Sequence, residues 1–226
     1  MSTPAPVTTP PRSGRALPGQ AALAALACFV VLLLLVDGGW RPLADLDATV
    51  LERLNRVATA SATFVTANQA VSLLGTFGCY VALGAPLVLH LVRRDRQRAA
   101  VFVSLVGLGG SLLNTLVKAL VDRARPVLED AVASAAHSAF PSGHAQGVVV
   151  ATGVLLLVLG PGLRPHHRRL AVALAVGWVL LMGFSRLALG VHYVSDVLGG
   201  YLLGLAWLAA WVAVFAGDLG RRGRQE

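Results

Sequence analysis

LAVALAVGWVLLMGFSRLALGVHYVSDVLGGYLLGLAWLAAWVAVFA, residues 170–216, decides the fold. Each end is a continuous apolar run, close to the ~20 residues that a helix needs to cross a hydrocarbon core. Neither run alternates as a barrel strand would, so both read as membrane helices. The only formal charges in the stretch are Arg186 and Asp196, and His192 lies between them.

The same reading extends outward. Hydrophobic residues make up 56% of the chain and charged residues 13%, and the mean hydropathy is +0.70. A soluble protein of 226 residues could not bury that much apolar surface, whereas a bilayer covers it. Six spans are expected: Gln20–Val36, Ala70–Val92, Ala99–Val121, His144–Gly160, Leu170–Leu189 and Val197–Ala216. The predicted fold is all-α, a polytopic membrane protein with six transmembrane helices. Arg12 and Arg15 before the first run give it the look of a signal peptide, but Asp37-Gly38-Gly39 follows in place of a small-residue cleavage site, so an uncleaved helix is expected. Cys28 and Cys79 fall in apolar stretches and read as small buried hydrophobes.

Basic residues set the orientation. Arg12 and Arg15, Arg93–Arg98, Arg164–Arg169 and Arg221–Arg224 mark one side, which is expected to be cytoplasmic with both termini. The net charge of +8 is explained this way, and no nucleic-acid partner is expected. Residues 1–18 read as a disordered cytoplasmic tail, 19–217 as one membrane domain and 218–226 as a basic tail. Leu43, Leu46, Val50, Leu54 and Val57 recur at helical spacing with Asp47, Glu52, Arg53 and Arg56 between them, which predicts an amphipathic helix on the outer interface.

Charged groups near a bilayer are costly, yet three polar clusters gather on the predicted outer side. Lys118 and Arg125-Pro126 close the third span and would share a face if the helix continues to Pro126. Pro141-Ser142-Gly143-His144 opens the fourth span, where free amides, the Ser142 hydroxyl and a glycine suit a phosphate. Ser185-Arg186, His192 and Asp196 bridge the last two spans; His192 and Asp196 meet at i,i+4 if the chain is helical, or across a turn if Ser195 is a helix cap. Taken singly, the cations could be interface anchors and the histidines structural. Taken together, three cations, two histidines and one carboxylate describe an anion site.

These stretches resemble the three-part signature of the type 2 phosphatidic acid phosphatase superfamily: Lys-x6-Arg-Pro, Pro-Ser-Gly-His and Ser-Arg-x5-His-x3-Asp. Every signature position is filled, in order. The likeness spans roughly Leu43–Ala216, with the motifs confined to Lys118–Asp196. It implies a plasma-membrane enzyme, active at the outer membrane–water interface, that removes phosphate from a lipid phosphomonoester or diphosphate. It also implies site roles. His192 is the nucleophile, Asp196 orients it, and His144 is the general acid and base. Lys118, Arg125, Ser142, Gly143 and Arg186 hold phosphate. No metal or other cofactor is expected. Phosphatidic acid, phosphatidylglycerol phosphate and polyprenyl phosphates or diphosphates are the implied substrates, with membrane lipids as surroundings. A lipid phosphotransferase and a non-catalytic lipid-phosphate transporter are the alternatives. The loop Val127–Ala139 reads as variable, its Glu129, Asp130 and His137 more in keeping with solvated loop polarity than with substrate contact. The headgroup and the oligomeric state are not readable.

Overall fold

Every element among the described residues is helical. The computed structural model describes residues 16–136 and 138–219. The helices are α1 (Ala16–Asp37), α2 (Arg41–Ala60), α3 (Ala62–Leu73), α4 (Phe77–Arg93), α5 (Gln97–Val121), α6 (Gly143–Leu159), α7 (Pro165–Ala188) and α8 (Val194–Leu219). A 3-10 turn, Gly160–Gly162, follows α6. Ala16–Pro18 and Asp218–Leu219 are helical; the rest of the two expected tails lies outside the described residues, as does His137.

Five helices, α1, α5, α6, α7 and α8, are long and apolar enough to cross a membrane. The second expected span is not one helix. α3 and α4 together meet the same test but bend by 41° at Leu74–Thr76. The break brings the backbone close to two neighbours: a Cβ on Gly75 would lie 2.5 Å from Met182 Sδ and 2.7 Å from His144 Cδ2. A side chain there would collide with the site described below, and glycine avoids this.

α6 is the central helix, packed against α4, α5, α7 and α8. Phe102, Val103, Val106, Val150, Val154 and Val158 form the main buried cluster between α5 and α6. α8 approaches α6 through Gly200 and Gly204, spaced one helical turn apart. A Cβ at Gly200 would lie 2.5 Å from the Ser142 carbonyl oxygen, and one at Gly204 would lie 3.0 Å from that of Gln146. Small residues at this spacing let two membrane helices touch backbone to backbone. α1 packs mainly on α8, and its Phe29 also stacks on Phe140, in the loop before α6, with ring centroids 5.7 Å apart. Most of its surface therefore faces outward, and Cys28 is exposed, not buried as expected. Cys79 is half-buried, with Sγ 3.2 Å from the Leu73 carbonyl.

Buried polar pairs tie α5 to α6. Asn114 donates to Gln146 Oε1 at 2.6 Å, and Gln146 Nε2 donates to the Gly110 carbonyl at 2.8 Å. In an apolar interior such amides must satisfy one another, and doing so fixes the register of the two helices.

Candidate active site

The C-terminal ends of α5 and α7 and the N-terminal ends of α6 and α8 meet on one side of the bundle, bringing all three signature stretches together. Lys118 Nζ donates to the Ser138 carbonyl, just before Pro141. The Ser142 amide donates to the Asp196 carbonyl at 2.9 Å, which joins the start of α6 to the start of α8. Arg125 Nη1 donates to the Val191 carbonyl at 2.7 Å and lies 3.3 Å from His192 Nε2.

The structure decides two points that the sequence left open. α5 does not run to Pro126. It stops at Val121 because Asp122 turns left-handed (φ 42°) and its amide returns to the Lys118 carbonyl at 3.0 Å. A short polar side chain tolerates that conformation. Lys118 and Arg125 still converge, since Arg125 Nη2 lies 3.5 Å from the same Ser138 carbonyl. Nor is Ser195 a helix cap. α8 begins at Val194, and Asp196, in its first turn, accepts the Tyr193 amide at 2.8 Å. This is the back-bonding half of a capping box.

His192 precedes that turn and is 3% exposed. Its Nδ1 lies 3.5 Å from Asp196 Oδ2, an ion-pair distance longer than a good hydrogen bond. A guanidinium only donates, so Nε2 facing Arg125 must carry the lone pair, and the ring proton belongs on Nδ1, toward Asp196. Burial pushes the imidazole down to about 4; Asp196 pulls it up, while Arg125 and Arg186 press it lower. His192 is therefore a neutral imidazole near pH 7. Burial also lowers the Arg125 guanidinium, which Asp196 partly offsets, and it raises the Tyr193 phenol.

Arg186, in the last turn of α7, is 7% exposed, so it is not a surface anchor. Its Nη1 donates to the Ser72 hydroxyl on α3. Three buried polar atoms of the predicted site have no hydrogen-bond partner among the described residues and are not turned toward a carboxylate: Ser142 Oγ, His144 Nε2 and Arg186 Nε. Buried polar groups are seldom left so, and a cluster of them among cations suits an oxyanion. No three His, Cys, Asp or Glu side chains are grouped as a metal would need, among the described residues.

Sequence reasoning missed other members. Asp47 of α2 is buried and accepts from the Ser195 amide at 3.0 Å, from the Ser195 hydroxyl, and from Arg123 Nη2 at 3.0 Å. Arg123 Nη1 in turn donates to Asp196 Oδ1 at 2.5 Å, and the guanidinium lies 4.5 Å over the Tyr193 ring. The expected apolar stripe of α2 is turned by one residue: Asp47, Leu51 and Ala58 face inward, while Leu46 and Val57 are exposed. Ser72 and Gly75 also border the site, and only the helix break brings them there. Glu129 and Asp130 are exposed.

The PAP2 superfamily model matches residues 98–218, more than half of the chain. The chain belongs to the PAP2 superfamily. All three signature stretches fall inside the PAP2 match. Among curated relatives, phosphatidylglycerophosphatase B of Bacillus subtilis is 38% identical over 96 residues, 42% of this chain and 47% of that protein. Undecaprenyl-diphosphatase BcrC of the same organism is 26% identical over 113 residues, 48% and 54% of the two chains. The aligned stretches thus span about half of these relatives. The crystal structure of a transmembrane PAP2 type phosphatidylglycerolphosphate phosphatase from Bacillus subtilis superposes with a TM-score of 0.77 and 23% identity, covering 88% of this chain and 97% of that one. That likeness shows a shared transmembrane PAP2 fold.

Proposed function

We propose that this protein is a membrane lipid phosphatase that works through a phosphohistidine. One observation carries the reading: a buried neutral imidazole, His192, has its lone-pair nitrogen turned toward Arg125 and its other nitrogen toward a carboxylate. The names of the relatives support a lipid monoester or diphosphate as substrate, such as phosphatidylglycerol phosphate or a polyprenyl diphosphate; the signature resemblance adds phosphatidic acid. The uneven distribution of arginines supports cytoplasmic termini and a site open to the extracytoplasmic side of the plasma membrane.

In this reading Lys118, Arg125 and Arg186 draw the phosphoryl oxygens in and offset their negative charge, with Ser142 Oγ and the Gly143 amide completing the cradle. The His192 Nε2 lone pair forms a bond to phosphorus as the ester P–O bond breaks. The leaving oxygen takes a proton from His144. Asp196 holds the Nδ1 proton and stabilises the imidazolium that forms, as the acid of a triad does. Water then attacks phosphorus, His144 accepts its proton, the P–N bond breaks and His192 returns neutral.

The test is phosphate release by purified protein in detergent from a panel of lipid phosphates, with and without chelator, beside a His192→Ala variant. Release by the wild type, insensitive to chelator and lost in the variant, is expected. Full activity in His192→Ala would overturn the mechanism. An added alcohol acceptor in the same assay separates hydrolysis from phosphotransfer by product.

A further inference from the structure

Asp47 lies outside the signature stretches, on a helix whose other charged residues, Arg41, Asp45, Glu52, Arg53 and Arg56, are all exposed. It alone is buried, at 2% exposure. A buried carboxylate is tolerated where its acceptor sites are filled, and those of Asp47 are filled by one region. Oδ1 takes the Ser195 amide at 3.0 Å, and Oδ2 takes Arg123 at 3.0 Å together with the Ser195 hydroxyl.

The Ser195 amide is one of the free donors of the first turn of α8. Tyr193, which precedes α8, has no short side-chain oxygen to accept it, so Asp47 supplies a cap from a different helix. The second tie matters for the chemistry. Arg123 bridges two carboxylates, Asp47 and Asp196 Oδ1, and also donates to Ser195 Oγ at 2.7 Å. With Oδ1 held by Arg123 at 2.5 Å, the other oxygen of Asp196 is left to the Tyr193 amide and to His192 Nδ1.

We infer that Asp47 is a positioning residue: through Arg123 and the first turn of α8 it fixes the Asp196 carboxylate against His192, making α2 a working part of the site. The inference rests on the reading of His192 as nucleophile. Asp47→Asn keeps the shape and one acceptor but sets an amide against Arg123, which then has Asp196 as its remaining carboxylate. Asp196 would follow Arg123 and lose its aim at Nδ1.

Two small oxyanions separate this role from a general loss of structure. Inorganic phosphate needs only the cations. Orthovanadate also accepts the Nε2 lone pair into a vanadium–nitrogen bond, so it senses the set of the imidazole. Isothermal titration of the purified full chain in detergent should give orthovanadate binding weakened about tenfold in Asp47→Asn, the low end of the cost of losing a partner that directly orients a metal-binding histidine, since Asp47 acts through Arg123 and Asp196. Inorganic phosphate should bind as in the wild type. Adding Asp47→Asn to Arg123→Gln should cost clearly less than the product of the two single losses, because the Asp47 effect runs in part through Arg123. Asp45→Asn, on the exposed side of α2, is the control.

Equal weakening of both anions, unchanged orthovanadate binding, or losses that multiply in the double variant would overturn the inference. If Asp47→Asn does not fold, Asp47→Glu keeps the charge and displaces it by one methylene; orthovanadate alone should weaken, and wild-type binding of both anions would count against the role. A wild type that binds phosphate but not orthovanadate removes the nucleophile reading and this inference with it. Normal orthovanadate binding in every Asp47 variant removes the inference only.

Discussion

Acidifying the protein should unfold it through His192, by an amount that follows from its burial. The imidazole falls from the ordinary 6.5 to about 4 because desolvation outweighs the attraction of Asp196. The unfolded chain therefore binds a proton at higher pH than the folded chain does. A depressed folded value means that this stability is present in full above 6.5 and is lost as the pH drops toward 4. Over the whole window the loss is about 3 kcal/mol, and about 2 kcal/mol is gone by pH 5. Reversible unfolding in mixed detergent micelles at pH 7 and pH 5 measures it, with His192→Asn as the partner lacking the titrating group. The wild type should lose about 2 kcal/mol more than the variant between the two pH values. Equal losses would mean that His192 is not buried neutral, and the lone pair assigned to Nε2 would lose its basis. The same number predicts that the acid limb of kcat/KM does not come from His192 above about pH 5, because the imidazole stays neutral there.

Three further outcomes follow from particular contacts. His192→Ala should abolish phosphate release, while chelator leaves the wild-type rate unchanged in the same assay. Arg186→Lys should lower kcat/KM by about tenfold or more, since a point charge cannot hold both Ser72 and a phosphoryl oxygen as a planar fork does; phosphate release at several substrate concentrations reads it. Gly200→Val should destabilise the fold by about 1–3 kcal/mol and lower activity with it, because even a Cβ would sit 2.5 Å from the Ser142 carbonyl; thermal unfolding and phosphate release test the two halves.

The spans and the convergence of the three signature stretches were legible because both rest on strong local signals: long apolar runs, and charges that a bilayer would otherwise exclude. What escaped was decided by tertiary contact. Asp47 looked like one more polar residue of an amphipathic helix, and its inward turn depends on Arg123 and Ser195, which are far away in sequence. The break at Leu74–Thr76 lies inside a run apolar enough to read as continuous, and what it packs against at Gly75, Met182 and His144, comes from other helices. The third span was expected to end at Val121, as α5 does; whether the helix went on to Pro126 was open, and Asp122 decides it with a left-handed turn that sequence signals only weakly. Gly200 and Gly204 did carry a readable sign, small residues one turn apart in an apolar helix, and their packing against α6 follows it.

The end of α5 also sets a ruler. Beyond Asp122 the chain is no longer coiled, and exposure alternates: Arg123 and Arg125 are sheltered, while Ala124 between them is exposed. Side chains two apart on an uncoiled chain point the same way. The pair therefore straddles the segment 191–196 like the prongs of a gauge, one prong on Asp196 and the other facing His192. Lengthening the gauge by one residue after Ala124 would turn the second prong outward, so this short run should tolerate exchange of the middle residue far better than any change in its length.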